Sequence, residues 1–511
     1  MVTVSSQGLP WRLLTGVGLG LAMGSLNGAA VQGIFPYVAG GVATSSDHAL
    51  WTLTYFIVNW SVGITIMPWT TARFGSRRVF VAACGLATIG SMVSATTQNL
   101  WILLVSRALE GLAAGLLVPL SQSLFLANSD PRRHGLITII WSNAMLLPFF
   151  VGPAIGGYFA TTLGYRWLFA LTVPLWLTAA WVGMGAIPKE QRSSPPPFDW
   201  LGFLLLYGGL MALQIVLDNG EQYGWWHSRF ILHTLLLALV SFALFAWREA
   251  STPHPLLLFH YLRARNYWLG LVLLSLGWAL FMGWASVLPL WAEEDLGYNG
   301  WWASVILLPI GLAAVPLSSL LDRLHGPIGL RRLASLCFLF FALAYGSAYL
   351  SPSMGLGQLF WPIFLLGLGV GSLFVPLTLL LLSPIPKAEI ARAATTSNFL
   401  RVFSANIGVS LLSVYWTRGA AVAGNGLRSG YGIPPSPLPL PLLQQHVTAL
   451  ADTLSLDNLL RFSSGICLLA ALVAYLFLHS PTRPASYEEE GEALVAETKA
   501  SADAEGAKLI S

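Results

Sequence analysis

Charged residues are scarce in this sequence. Only 9% of its 511 residues are Asp, Glu, Lys or Arg, and 55% are hydrophobic, whereas about a quarter of the residues of a soluble domain are charged. This balance excludes a soluble globular enzyme and indicates a protein embedded in a bilayer. The three cysteines lie far apart in apolar runs, with no Cys or His at ligand spacing, so neither a disulfide framework nor a zinc site is predicted.

Several motifs that carry chemistry are also missing. The nucleotide-binding pattern Gly-x-x-x-x-Gly-Lys-Ser/Thr is absent, which argues against an ATP-driven pump. No constellation of catalytic side chains is recognisable, so we expect a protein that is not an enzyme and that needs no cofactor. The net charge is +4, but the arginines are dispersed in short loops, which argues against nucleic acid as a partner.

Long uncharged runs dominate what is present. A helix needs about 20 mostly apolar residues to cross the hydrocarbon layer, and such runs predict an all-α membrane protein with 14 transmembrane helices. The predicted spans are 12–34, 51–70, 79–95, 100–125, 137–161, 166–187, 200–217, 230–247, 267–292, 301–321, 331–350, 358–383, 394–416 and 460–479.

The Lys and Arg residues of the connections set the predicted orientation. With the N-terminus inside, 19 of them fall on the inner side and five on the outer side, while Arg107 and Arg401 lie within helices. Cytoplasmic loops carry such an excess. Both termini are therefore predicted to be cytoplasmic.

Two basic connections indicate an internal repeat. The segment from Pro68 to Arg78 and the segment from Pro316 to Arg332 each hold a proline, an arginine, a glycine and then a pair of arginines, and both follow the second span of a half. Parallel halves of six helices at an offset of eight spans require two inserted helices, a plan that transporters of the major facilitator type use. The alternative is that short basic glycine loops recur by chance.

The predicted organisation follows from this repeat. Residues 12–187 form the first six-helix half, 200–247 the two inserted helices and 267–479 the second half. Within the second half, 417–459 is predicted as an outer loop that is either plain or contains an interfacial helix. Residues 485–511 form an acidic tail with the composition of a disordered segment.

Few ionisable residues lie inside the spans. Such a residue costs about 2.5–3.5 kcal/mol at the centre of a helix, so each one is a functional candidate. Arg107 and Glu110 are three residues apart on one helix face and can neutralise each other. They form either a charged site in a water-filled cavity or a buried ion pair that sets helix register.

Polar side chains in other spans are candidates for a substrate cavity, or else for hydrogen bonds between helices. Arg401 lies near the inner surface, and its side chain either extends to that surface or enters the cavity. The acids at the outer ends of spans, Asp218 and Glu293 to Asp295, are interpreted as solvated caps. The cavity candidates are Asn27, Gln32, Asn59, Asn143, Asn398 and Arg401.

The fifth span combines a proline with small residues. Gly152, Pro153, Gly156 and Gly157 allow a bend and close helix contact. We therefore expect this face to pack against another helix.

The motifs together resemble one transporter family. The run from Arg107 to Gly115 looks like the span-4 motif of the major facilitator superfamily, and Gly152 to Gly157 resembles the antiporter motif of span 5. The likeness extends over most of residues 10–480 and is strongest to the fourteen-span drug:proton antiporter branch, the EmrB/QacA-like efflux proteins. The pattern differs at three places: the span-1 acid is Asn27, the usual Gln of span 4 is Glu110, and the loop acid at Ala72 is missing while Asp322 retains its counterpart.

The resemblance implies the major facilitator fold and a secondary exporter of amphipathic small molecules in the bacterial inner membrane. Glu110, with Arg107 and Asp322, would serve proton coupling. Implied partners are the substrate, protons, lipid and, as in some relatives, a periplasmic adaptor and an outer-membrane channel. A metabolite importer and a non-transporting membrane scaffold are the alternatives. The implied gating loop contains Arg73, Gly75, Arg77 and Arg78.

Overall fold

The computed structural model describes residues 11–129, 134–188, 197–252, 255–386, 389–430 and 440–479, so the predicted tail at 485–511 lies outside the described residues. In these ranges every element of regular secondary structure is helical. The α-helices are α1 (Trp11–Ala29), α2 (Phe35–Gly41), α3 (Ser46–Phe74), α4 (Ser76–Thr96), α5 (Leu100–Ala127), α6 (His134–Thr162), α7 (Arg166–Ala186), α8 (Trp200–Asn219), α9 (Arg229–Ser251), α10 (Arg265–Glu294), α11 (Gly300–Val305), α12 (Leu308–Ile328), α13 (Leu330–Ser347), α14 (Phe360–Leu382), α15 (Ile390–Gly430) and α16 (Leu440–Phe477).

Thirteen segments of the described chain are long and apolar enough to cross a membrane. They correspond to the predicted spans from the second to the fourteenth. Helix α1, which has 19 residues and occupies the position of the first span, is not among them. The many-span membrane protein is confirmed, and the count of fourteen stays a prediction.

Two predicted spans are interrupted. The predicted span 12–34 ends as a helix at Ala29, and the chain turns before α2, which has Pro36 in its first turn. The predicted span 301–321 is broken between Val305 and Leu308, where α12 begins with Pro309 in its first turn. A proline lacks the N–H that an internal helical position needs, so helices readily start there.

The plain-loop alternative for 417–459 is wrong, because α15 extends to Gly430 and α16 begins at Leu440; the alternative that the segment contains a helix is correct, although that helix is the start of the long α16 and not a separate interfacial helix. Helix α15 has 41 residues and α16 has 38, so each is about 60 Å long, roughly twice the hydrocarbon thickness. The last apolar residue of a span marks the edge of the lipid and not the end of a helix. Polar residues such as Arg418 continue the helix beyond the predicted span, which ends at residue 416.

The helices pack as two groups and an additional pair. In the first group α1 contacts α5, α6 and α7, while α4 contacts α5 and α7; in the second α10 contacts α14 and α15, while α13 contacts α14 and α16. The groups meet where α3 packs on α15 and where α6 packs on α11 and α12. The pair α8 and α9 lies against α3 and α15 through α8.

Contacts at the helix ends define two faces of the bundle. At the face where α1 begins and α16 ends, called the terminal face, Asn266 of α10 donates to the carbonyl of His479 over 2.8 Å. The start of α8 and the end of α9 also meet there, through Asp199 and Arg248. The other end, where α3 begins and α8 ends, is called the opposite face.

The two repeated connections share one backbone conformation. Gly75 between α3 and α4 has φ 87° and ψ 143°, and Gly329 between α12 and α13 has φ 86° and ψ 138°. Only glycine adopts this region without strain. Each glycine precedes a pair of arginines by two residues, so Gly329, rather than Gly326, is the structural counterpart of Gly75.

Candidate functional site

Arg107 and Glu110 form an ion pair in the interior of the first half. Their side chains are fully buried, and Nη1 of Arg107 donates to Oε2 of Glu110. Both residues lie in the first three turns of α5, nearer the opposite face. Two charges in a membrane interior are tolerated when they neutralise each other and their remaining polar atoms are satisfied.

Three other helices surround the guanidinium of Arg107. From α1, the side-chain oxygen of Asn27 accepts from Nη1 over 2.9 Å and its carbonyl accepts from Nη2 over 3.1 Å. From α3, the carbonyl of Thr52 accepts from Nε over 3.2 Å. The rings of Phe56 and Phe169 lie 4.4 Å and 5.5 Å from the guanidinium carbon, at cation–π distance.

Glu110 is held from a fourth helix. Oγ of Ser91 in α4 donates to its Oε1 over 2.7 Å. Gly90 makes room for this contact, because a Cβ there would lie 2.6 Å from Cγ of Glu110. Each oxygen of the carboxylate therefore accepts a hydrogen bond. Asn27, which occupies the position of the acid in the family pattern, shares Nη1 of Arg107 with Glu110.

Small residues bring the helices of this site together. A Cβ at Gly111 would lie 2.1 Å from the carbonyl oxygen of Phe56, and one at Gly115 would lie 2.1 Å from that of Trp60. Close backbone approach of this kind is how glycine strips join membrane helices. It fixes α5 against α3 beside Arg107.

Arg401 has a different environment in the second half. It is 3% exposed, so the interpretation that its side chain extends to the inner surface is wrong. Its Nη2 donates to Oδ1 of Asn398 over 3.3 Å, while its Nε has no acceptor. The guanidinium carbon lies 5.0 Å from the ring centroid of Trp278 and 4.7 Å from that of Phe374. Within the described ranges no carboxylate pairs with it.

The remaining cavity candidates are at separate places. Gln32 approaches the sulfur of Met282 in the second half at 4.0 Å. Asn59 accepts from the hydroxyl of Tyr207 on α8 over 3.2 Å, and Asn143 donates to Ser319 on α12 over 3.3 Å. The structure brings together Asn27, Arg107 and Glu110, and separately Asn398 and Arg401.

The small residues of α6 lie against neighbouring helices and turns. A Cβ at Gly156 would lie 2.0 Å from the carbonyl oxygen of Ala30, and one at Gly157 would lie 2.1 Å from that of Gly300. A Cβ at Gly152 would lie 3.1 Å from the carbonyl oxygen of Leu26 in α1, and Pro153 is the next residue of α6. Gly157 thus belongs to the contact between the two halves near the opposite face.

The predicted loop residues are at the terminal face. Arg73 lies in the last turn of α3, Gly75 links the two helices, and Arg77 and Arg78 lie in the first turn of α4. The side chain of Asp322 in α12 lies outside the described residues.

Asp218, interpreted as a solvated cap, is instead partly buried and hydrogen-bonded to three side chains. Its Oδ1 accepts from Gln214 over 2.7 Å and from Ser410 over 2.9 Å, and its Oδ2 accepts from Thr54 over 2.9 Å. The spacing of Gln214 and Asp218, four residues apart, was the available signal in the sequence. The partners on α3 and α15 are distant in sequence and carry no such signal.

Comparison with known proteins identifies the class to which this fold and buried pair belong. The family described as Major Facilitator Superfamily matches residues 17–409. The chain belongs to this family, as its motifs predicted, and is a multi-pass membrane transporter.

Curated relatives cover most of the chain. Fatty acid resistance protein FarB of Neisseria gonorrhoeae is 32% identical over 416 residues, 81% of this chain and 82% of its own length. Multidrug export protein EmrB of Escherichia coli (strain K12) is 30% identical over 385 residues, 75% of each chain. Probable multidrug resistance protein EmrY of the same strain is 28% identical over 80% of this chain and 81% of its own.

Solved structures share the fold at low identity. A POT family peptide transporter in an auto-inhibited form superposes with a TM-score of 0.60 at 17% identity, covering 93% of this chain and 99% of its own. The POT family transporter PepTSo gives a TM-score of 0.63 at 15% identity, covering 92% and 98%. These likenesses concern the fold alone.

Proposed function

We propose that this protein is a proton-coupled exporter of amphipathic small molecules that works by alternating access in the bacterial inner membrane, and that it is not an enzyme. The buried Arg107–Glu110 pair carries the proposal. It joins α5 to four other helices of the same half, and Glu110 is the acid that takes the place of the missing span-1 carboxylate. An antiporter needs a group whose protonation alternates with substrate binding.

The geometry suggests how Glu110 would change its proton occupancy. Its ionised form is stabilised by Arg107 and Ser91, whereas burial disfavours any charge. Nη1 of Arg107 donates to Asn27 and Glu110 at the same time. A movement of α1 against α5 would change the contacts of Arg107 and thereby the stability of the ionised Glu110, which would couple the proton to the rocking of the halves.

The test of proton coupling is the Glu110→Gln variant in everted vesicles with an imposed proton gradient. The amide keeps the shape of the side chain but removes the change of charge, so uphill export should be lost while downhill exchange of substrate survives. The matched control is Asp199→Asn, which alters a buried acid at the terminal end of α8 and should export normally. Undiminished uphill export by the Gln variant would leave Glu110 as a structural partner of Arg107.

Arg401 supports a class of substrate. A buried cation with aromatic walls and no carboxylate partner suits an amphipathic molecule with a negative head and an apolar body. The relative named for fatty acid resistance is consistent with such a molecule. We propose that anionic and neutral amphiphiles are preferred over cationic ones, and competition by fatty acids of defined chain length for export would test it.

The proposed orientation places the terminal face in the cytoplasm, in agreement with the charge bias of the loops. The extensions of α15 and α16 then lie in the periplasm, where an adaptor protein would bind. Val422, which is 73% exposed on this extension, provides a labelling site. Cysteine at this position should react with an impermeant maleimide in spheroplasts with an intact inner membrane, and reaction only after lysis would reverse the orientation.

The remaining residues have proposed roles in the same cycle. Gly152, Pro153, Gly156 and Gly157 would let α6 move closely against its neighbours, and the arginine loop at Gly75 would open and close the cytoplasmic end. Gly156→Leu should abolish export while the protein still inserts, because a side chain there collides with the backbone of Ala30. Full activity of the Leu variant would show that this contact is dispensable.

A further inference from the structure

The carboxyl group of Asp218 joins the inserted helix α8 to both halves of the transporter. Thr54 belongs to α3 of the first half, and Ser410 belongs to α15 of the second. Both donate to Asp218, over 2.9 Å each, and Gln214 on α8 itself donates over 2.7 Å. A second link between the halves lies beside it, where Nδ2 of Asn406 on α15 donates to the carbonyl of Thr54 over 3.1 Å.

This site lies where the halves meet at the opposite face. Thr54 is in the third turn of α3, Asp218 is the penultimate residue of α8, and the chain direction puts all of them near the same end. A further contact between the halves at this end is on α11, where Ser304 and the backbone N–H of Gly300 donate to the carbonyl of Gly33 and the hydroxyl of Tyr37. Opening of the outer end requires all of these contacts, and that of Gly157 with Gly300, to separate.

The hydrogen bonds at Asp218 can be satisfied completely by the neutral acid. Thr54 has an alternative acceptor for its own hydrogen, the carbonyl of Trp51 at 3.2 Å, so its oxygen can accept from a protonated Oδ2. Oδ1 then still accepts from Gln214 and Ser410. A neutral acid thus keeps all three bonds and avoids the cost of burying an unpaired charge.

The surrounding charges give the ionised form no counter-ion. Within the described residues, no cation is hydrogen-bonded or ion-paired to Asp218, and Arg418 on α15 pairs with Glu221 instead. The ring of His48, in the first turn of α3, forms a hydrogen bond with the side chain of Gln222. Other titratable or charged groups at this end are the phenol of Tyr55 on α3, which interacts with Asp218, and Asp47 at the start of the same helix. Further groups are Tyr207 on α8, the exposed Arg229 and His233 on α9, Glu293, Glu294 and Asp295 at the end of α10, and Asp452 on α16.

We propose that Asp218 is a proton-operated latch through which the inserted helices hold the outer end of the transporter closed. As the neutral acid it ties Thr54 to Ser410; when the end opens, water reaches the carboxyl group and it ionises. A proton from the periplasm therefore favours closure after the substrate has left. The latch rests on the alternating-access part of the proposed function and on its orientation, but it is a site separate from Glu110.

Two substitutions separate the chemistry from the fold. In Asp218→Asn, the amide oxygen accepts from Gln214 and Ser410 while the amide nitrogen donates to Thr54, so this variant reproduces the neutral acid. In Asp218→Ala the tie is absent. The readout is labelling of Ser304→Cys. Ser304 is fully buried in the α11 contact between the halves, so this position reports opening of the outer end at a distance from the Asp218 substitution. The natural cysteines Cys84, Cys337 and Cys467 are buried and give a low background.

The experiment measures how fast an impermeant maleimide labels the Ser304→Cys protein, called the parent, and the two Asp218 variants made in it. The reagent is added from the periplasmic side at about pH 5.5 and about pH 8, which bracket the range of a buried carboxyl group. Rates are divided by those of Val422→Cys, because maleimide chemistry itself depends on pH. The parent should label about tenfold faster at the higher pH, because closure then leaves an ionised carboxyl group without a counter-ion. Asp218→Asn should label slowly, and Asp218→Ala rapidly, at both pH values.

Other outcomes would overturn the latch. Equal labelling of all three proteins would show that Asp218 does not hold the outer end, and an unchanged pH dependence in Asp218→Asn would assign the proton to another group. Asp199→Asn, at the terminal end of the same helix, should behave as the parent. Because labelling needs no substrate, the latch and the role of Glu110 can fail independently.

Discussion

The two buried arginines show how differently the two halves treat the same side chain. Arg107 in the first half has a carboxylate, an amide and two carbonyl groups as acceptors, whereas Arg401 in the second has one amide and two aromatic rings. The first site neutralises its charge internally. In the described ranges the second has no carboxylate to neutralise it, and this contrast underlies the proposal that the first half couples protons and the second recognises substrate.

The largest expected effect is on stability when the first pair is broken. Arg107→Leu leaves Glu110 buried without its partner, which costs about 3–5 kcal/mol. Thermal unfolding in detergent should show a large fall in Tm, and the double variant Arg107→Leu/Glu110→Leu should recover most of it. Arg401→Leu, which removes an uncompensated cation, should change Tm little. A similar fall at both positions would contradict the contrast between the halves.

A smaller effect is expected on ligand binding at Arg401. Arg401→Leu removes a charge-assisted bond, worth about 1.5–3 kcal/mol, and should raise the Kd of an anionic amphiphile by about tenfold to a hundredfold. Arg401→Lys should retain part of the affinity. The measurement is binding of a fatty acid and of a neutral analogue of the same length; equal losses for both would show that Arg401 contributes shape rather than charge.

Matched glycines beside each arginine sharpen the comparison further. A Cβ at Gly111 would lie 2.1 Å from Phe56, next to Arg107, and one at Gly408 would lie 2.1 Å from Ala279, next to Trp278. Each alanine variant should lose about 1–3 kcal/mol of stability through overpacking. At matched expression, Gly111→Ala should mainly impair proton-driven export, and Gly408→Ala should mainly raise the Kd for anions. The reverse assignment would exchange the roles of the halves.

The smallest effect concerns acids that lack any arginine. Burial, together with the nearby Asp452 and Glu294, raises the pKa of Asp295 at the end of α10 to about 8. Because this folded-state pKa is above the ordinary value for Asp, the protonated form stabilises the fold at low pH, and that contribution is lost as the pH rises through about 8. Tm measured from about pH 4 to about pH 8 should fall slightly in the unmodified protein and less in the Asp295→Asn variant. An identical slope in both would assign the effect elsewhere.

Local sequence was sufficient for the helices, the family and the pairing of Arg107 with Glu110. It was insufficient where hydropathy was used to end a helix, as in the long α15, because a helix continues through polar residues until a residue such as proline stops it. The sequence interpretation also assigned six polar residues to one cavity, whereas the structure gives several of them separate partners. Asn59 and Asn143 have partners on α8 and α12 that no pattern within their own helices could indicate.

The sequence by itself determined that this chain lies in a membrane as apolar helices, and that Arg107 and Glu110, three residues apart, share one helix face. These properties depend on the composition and spacing of neighbouring residues. Only the tertiary structure decided that Asn27 shares the guanidinium with Glu110, that none of the described carboxylates pairs with Arg401, and that Asp218 links three helices. Contacts between helices depend on their relative rotation and depth, which close packing of all the side chains determines together.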